Sequence, residues 1–242
     1  SWSNEHKTQK MIAEWMRVYY AMTTNLDWNF GRLISSIKDA GIIDNTIIIF
    51  TSDHGEMFGS HGRMKKNIFY EESIRVPFLI QWRDELSSGL KLDTLLSTVD
   101  IMPTILGLVD VEIPKEVEGT DLSLTLRRKT IDEPLFAFLM NTGACAIWED
   151  GHEWRAIRDK KYTYAVYRGS KDLPRKELFF NNINDPFQLN NLIDNLKYLT
   201  KINRFRSFLS EKMNQLNDEF PASSWYLKNW IQDRNIRRTA TI

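Results

Sequence analysis

The feature that most constrains this chain is a continuous apolar run, "TIIIFTS" (46–52), which passes straight into Asp53-His54-Gly55. The run has no polar alternation to give it a wet face. It therefore reads as a strand buried on both sides, the kind found in parallel sheets covered by helices. Ahead of it, residues 8–39 place Ile12, Trp15, Met16, Tyr19, Met22, Leu26, Phe30, Leu33, Ile34 and Ile37 at three- and four-residue steps. That spacing predicts one long amphipathic helix, with Gly41 as its left-handed terminator. Helix, short turn, buried strand and a polar loop at the strand's carboxyl end is α/β order. In open α/β sheets that loop position is where ligands are held.

Downstream, "VPFLIQW" (76–82) reads as a second buried strand. "STVDIMPTILGLV" (97–109) reads as a helix with Pro103 in its first turn, where a missing N–H does no harm. A connector rich in charge and proline follows, and a boundary is expected near 125–133. This predicts a domain over 1–125, part of a large, mainly parallel sheet flanked by helices, and a small α+β subdomain over 126–242. In the second half, "LFAFLM", "ACAIWE", "WRAIRD", "KYTYAVYR" and "KELFF" are short runs between turns, the pattern of an antiparallel sheet. "LKYLTKINRFRSFLSEKMNQLNDEF" is an amphipathic helix able to cover one face of that sheet.

The charge balance, 32 basic against 32 acidic residues, provides no net field for nucleic acid or an acidic membrane. One cysteine, Cys145, rules out an internal disulfide framework and a cysteine-only zinc site, and reads as buried packing. No apolar stretch is long enough for a transmembrane helix, and residues 1–11 lack a secretory h-region. Gly-x-Ser-x-Gly, Gly-x-Gly-x-x-Gly and P-loop patterns are all missing, so serine-hydrolase and nucleotide readings have no support.

What remains is the loop after the strand. A carboxylate beside an imidazole, Asp53 with His54, suits a divalent metal, with Gly55 allowing a tight turn. The plainer reading is a solvated loop in which Asp53 caps the next segment. Lys65 and Lys66 suit an anionic group such as sulfate or phosphate, or are simply solvated. His61 is a ligand, a proton donor or a surface histidine. Asp27 reads as a helix-packing residue needing a partner, and Glu71 with Arg75 as a salt bridge bracing the loop.

The order of the pieces carries more than any one of them. "YYAMTTNLDWNFGRLISSIKDAGIIDNTIIIFTSDHGEMFGSHG", "KNIFYEESIRVPFLIQW", "STVDIMPTILGL", "WRAIRDKKYTYAVY" and "ELFFNNINDPFQLNNL" are collinear, and together they resemble the C-terminal half of a type I sulfatase of the alkaline phosphatase superfamily. The resemblance covers about residues 18–215. It implies that Asp53 and His54 are metal ligands and that Lys66, with Lys65 as the alternative register, is the substrate lysine. His61 falls at a position that varies in the family. Tyr20, Asp27, Asp100, Pro103 and Thr104 match positions of structural role.

The resemblance also implies a divalent cation, calcium by family habit, with manganese or zinc as alternatives because His54 offers nitrogen. It implies a formylglycine nucleophile generated in a Cys/Ser-x-Pro-x-Arg motif, which these residues do not contain. The expectation is therefore a C-terminal segment, incomplete as a catalyst alone, whose N-terminal half docks on the sheet. The expected substrate is a sulfated small molecule or glycan, and the expected compartment is periplasmic, secreted or lysosomal. The alternatives are a phosphodiesterase or phosphonate hydrolase of the same superfamily, or a non-catalytic binding module that pairs with another chain.

Overall fold

A computed structural model describes residues 9–129, 133–142, 149–232 and 235–236, with backbone only from 231 onward. Cys145 and most of "ACAIWE" lie outside the described residues. The elements run α1 (Gln9–Asp39), β1 (Ile48–Thr51), α2 (Glu71–Ile74), β2 (Phe78–Gln81), α3 (Thr98–Leu108) and α4 (Ser123–Leu126). They continue with β3 (Ala137–Asn141), β4 (Trp154–Arg158), β5 (Tyr162–Tyr167), β6 (Lys176–Asn181), α5 (Leu199–Gln215), α6 (Ser223–Trp230), β7 (Ile231–Gln232) and β8 (Asn235–Ile236). The class is mixed α/β, as the sequence pattern predicts. The chain divides into two compact units. One takes the described residues of Ser1–Lys66, Glu72–Leu92 and Ser123–Asp132; the other takes those of Asn67–Glu71, Asp93–Leu122 and Glu133–Ile242.

In the first unit α1 ends as the glycine predicts. Gly41 has φ +69 and donates to the Lys38 carbonyl at 2.9 Å, while Ile42 reaches back to Ile37 at 3.3 Å. These two bonds close the helix through a left-handed residue. The apolar stripe of α1 is wider than the surface that covers it. Phe30 meets the Phe50 ring at 5.2 Å and Tyr19 meets Phe58 at 5.0 Å. No residue of the helix is fully buried, and Val18, Met22, Leu26 and Leu33 are all exposed. Asp27, expected to be a buried packing residue, is exposed as well, because the face it occupies is uncovered.

β1 pairs antiparallel with β2, in register Ile49↔Ile80 and Phe50↔Leu79. Among the described residues β2 is its one partner, so the other edge of β1 keeps unpaired backbone groups and the run is only half buried. The parallel neighbours expected from its all-apolar character are not formed among the described residues. Arg127, just after α4, pairs with Glu85 at 3.4 Å and lies over the Trp82 ring.

The second unit is built on the antiparallel sheet β3-β4-β5-β6. Alternation along the strands turns Ile157, Tyr164, Val166 and Phe179 toward α5, which answers with Ile202, Phe205 and Leu209 at steps of three and four. Tyr162 stacks on Phe179 at 5.3 Å with the rings 7° apart. Other sheet positions, Trp154 and Tyr167, surround the fully buried Phe69 at 5.4 and 5.7 Å.

Two local expectations need correction. α3 begins at Thr98, so Pro103 stands in its second turn. Proline cannot donate to the Val99 carbonyl four residues back, and that oxygen instead faces Gly119, where any Cβ would lie 1.9 Å away. The Asp100 carboxylate completes this corner, accepting from Ser97 N–H at 2.7 Å and Thr120 N–H at 2.8 Å. Glu71 pairs with Arg158 at 2.6 and 3.0 Å and not with Arg75, which is exposed. The bidentate fork of Arg158 comes from β4, far along the chain, so sequence proximity favoured the wrong arginine.

Candidate functional site

β1 ends at Thr51, and its carboxyl end delivers Asp53 and His54 side by side. Asp53 is exposed. Its Oδ1 accepts the His54 N–H at 2.9 Å and the Ser52 hydroxyl at 3.3 Å. The backbone N–H is the main reason its carboxyl is held below the usual aspartate value, with the imidazole adding to it. His54 is half-buried, with Nδ1 2.7 Å from the Gly55 carbonyl, so Nδ1 carries a proton and donates it there. That leaves Nε2 facing Asp53 Oδ2 at 3.2 Å.

An imidazole nitrogen and a carboxylate oxygen facing each other can share a proton or flank a metal ion. Two neighbouring ligands each ~2.2 Å from one ion and at right angles stand roughly 3.1 Å apart, close to the separation seen. Oxygen plus imidazole thus fits two positions of a divalent-cation shell. A hard cation takes about six donors. Among the described residues no group of three or more His, Cys, Asp or Glu side chains gathers to hold a metal.

The loop after this pair folds back on itself. The Met57 N–H donates to the Lys65 carbonyl at 2.8 Å and Gly59 to Arg63 at 2.7 Å, with Met57 buried beneath. Glu56 accepts the Lys65 N–H. Phe58, His61, Lys65 and Asn67 all take positive φ, an unusual density of left-handed residues outside glycine. His61 sits half-buried in a 3-10 turn, while Lys65 and Lys66 are exposed. Among the described residues no hydrogen bond or ion pair engages the Lys66 ammonium. Direct contact joins Asp53 to His54; none is seen joining Lys66 to either.

Sequence reasoning read Gly55 only as a turn residue, and it missed Glu56. Gly55 donates to the Ser73 carbonyl at 2.8 Å, and a Cβ there would stand 1.9 Å from the Glu72 oxygen. Glu56 holds the far arm of the loop. The first had a signal in the glycine itself; the second had none, because a glutamate nine residues from its partner looks like any surface acid.

A sulfatase family profile matches residues 2–111, and a profile described as N-sulphoglucosamine sulphohydrolase, C-terminal, matches residues 59–219. The mixed α/β fold, with an Asp-His pair at the end of a strand, agrees with that class, and the chain belongs to the sulfatase family. An ulvan-active sulfatase of Formosa agariphila is 36% identical over 234 residues, covering 95% of this chain and 45% of that protein. An endo-4-O-sulfatase of Bacteroides thetaiotaomicron is 33% identical over 236 residues, with coverages of 92% and 45%. A solved structure of a protein in complex with its substrate D-glucosamine-2-N,6-O-disulfate matches with a TM-score of 0.79 at 27% identity, covering 89% of this chain and 44% of that one. The chain spans about half the length of the curated relatives it matches. The family in general uses a divalent cation and formylglycine.

Proposed function

We propose that these residues form the C-terminal part of a sulfatase that hydrolyses sulfate esters on carbohydrate. The observation that carries the reading is the Asp53–His54 pair, set 3.2 Å apart at the end of β1 in a chain of this family. Asp53 and His54 are assigned as two ligands of a divalent cation, calcium first, with manganese or zinc favoured to the degree that the imidazole nitrogen counts. When bound, the cation supplies Lewis acidity toward the sulfate oxygens. Lys66 is assigned as the ammonium that neutralises the sulfate, acting as a point charge on a flexible stem. Lys65 has its backbone tied to Glu56 and Met57, which supports the Lys66 register. His61 is the remaining candidate for a substrate contact from the same loop. The nucleophile is not among these side chains, and catalysis requires residues beyond them. The carbohydrate assignment draws on relatives named for ulvan, for an endo-4-O-sulfate and for a glucosamine disulfate.

The test uses the full-length protein with added calcium. Release of sulfate from sulfated oligosaccharides, lost in Asp53→Asn while the fold is kept, is the expected result. Undiminished release in Asp53→Asn would remove the metal assignment. Faster turnover of a phosphonate monoester than of any sulfate ester would favour the phosphonate hydrolase reading.

A further inference from the structure

Within the second unit, a groove of about 590 Å³ runs between α5 and the residues just before β3. Its floor is aromatic: Phe136 stacks on Phe208 at 5.0 Å, and Phe205 lies beside them. Its rim is basic. Lys197, Lys201 and Arg204 follow one another at four- and three-residue steps, so they share one face of the helical segment, and Lys161 stands on the opposing turn.

The acids lining the groove are already engaged. Glu133 pairs with Lys160 at 2.6 Å, and the Asp159 carboxylate accepts the N–H groups of Lys161 and Tyr162 at 2.7 and 2.6 Å. Among the described residues Lys161, Lys197, Lys201 and Arg204 make no ion pair. Lys201 and Arg204 rest instead on the rings of Tyr162 and Phe208, at 4.5 and 5.0 Å. The first turn of α5 carries no acid. Cations at a helix N-terminus oppose the macrodipole, so the stability of α5 gains nothing from this arrangement. Four unmatched cations over an aromatic floor suit a ligand with several fixed anionic groups on an otherwise apolar-faced ring skeleton.

We propose that this groove binds a sulfated oligosaccharide, its sulfate groups on Lys161, Lys197, Lys201 and Arg204 and a pyranose face against Phe136. The choice of a carbohydrate polyanion rests on the sulfatase reading above. Engaging cations on both sides of the groove needs at least two sulfates at once, so the groove favours a multiply sulfated chain over a monosulfated sugar.

The test compares full-length wild type with Lys197→Ala/Lys201→Ala/Arg204→Ala, all exposed positions, using dextran sulfate, unsulfated dextran and single-stranded oligo(dT) as probes. Wild type should bind dextran sulfate and ignore dextran, and the triple variant should bind about tenfold more weakly at an unchanged melting temperature. Asp53→Asn should keep the binding. Unchanged affinity in the triple variant, or tighter binding of oligo(dT) than of dextran sulfate, would overturn the proposal. If no sulfate ester is hydrolysed yet the triple variant still loses dextran sulfate, the proposed activity falls and the groove stands.

Discussion

The Gly55 amide donates to the Ser73 carbonyl at 2.8 Å, fastening the Asp53–His54 loop to the residues that follow the Lys65–Lys66 segment. No side chain fits at this contact, since a Cβ at residue 55 would lie 1.9 Å from the Glu72 oxygen and 2.9 Å from its carbon. Backbone cannot retreat as a flexible side chain can. Gly55→Ala should therefore lower the metal affinity of the full-length enzyme by about tenfold or more, because it displaces both proposed ligands together. Calcium titration by calorimetry checks this; wild-type affinity in the variant would show that the contact relaxes without moving the pair.

The two lysines should separate cleanly. Lys66→Ala should reduce sulfate-ester turnover in the full-length enzyme by about a hundredfold, the scale of removing one charge-stabilising group. Lys65 sits at φ +68, where a side chain is strained, so Lys65→Gly should keep turnover and hold or slightly raise stability. The reverse ranking would place the substrate lysine at Lys65.

Arg155 is fully buried between β4 and the turn after α5. It makes a fork to Asp218, with one arm at 2.8 Å, and further bonds to Tyr226 and to the Asn141 carbonyl at 3.0 and 3.1 Å. Asp218→Ala would leave that guanidinium without its counter-ion and should destabilise the second unit by about 3 kcal/mol or more. Replacing both partners, Arg155→Met with Asp218→Leu, should lose less than the single change. Urea unfolding of the wild type and these two variants tests the ranking.

Burial pushes the Tyr164 hydroxyl up to about 12, with Glu177 adding to the shift and Arg206 opposing it. Below pH about 10 this group is neutral in both folded and unfolded chains. Between about 10 and 12 the unfolded chain loses the proton while the folded protein keeps it, so stability falls as pH rises through that window. Tyr164→Phe should flatten this part of the stability–pH curve. An identical slope in the variant would assign the alkaline loss to other groups, Tyr226 first, whose hydroxyl burial also raises.

Much of this molecule was legible in one dimension. Four strands of the antiparallel sheet and the helix that covers it follow from short apolar runs, turn residues and a three-four spacing, all properties of local sequence. The placement of Asp53 and His54 was legible too, because a strand that stops at a charged pair can present that pair only at its carboxyl end. Local pattern failed where the partner was remote. Glu71 chose Arg158 over Arg75, and the engaged acids that leave the α5 cations unmatched lie tens of residues away in sequence.

The sequence by itself determined the element types, the end of α1 at Gly41 and the kinship with sulfatases. Periodicity, turn chemistry and collinear motifs all act over neighbouring residues. Tertiary structure alone decided how much of that pattern is buried within this chain. α1 and β1 carry apolar surface on sides that these residues leave open, and burial is a property of what stands opposite a side chain. It also decided which charges are paired, and hence that His54 Nε2 faces Asp53 Oδ2 while Lys66 remains exposed. Hydrogen-bond geometry selects partners by direction and distance in space, and neither is written in the order of residues.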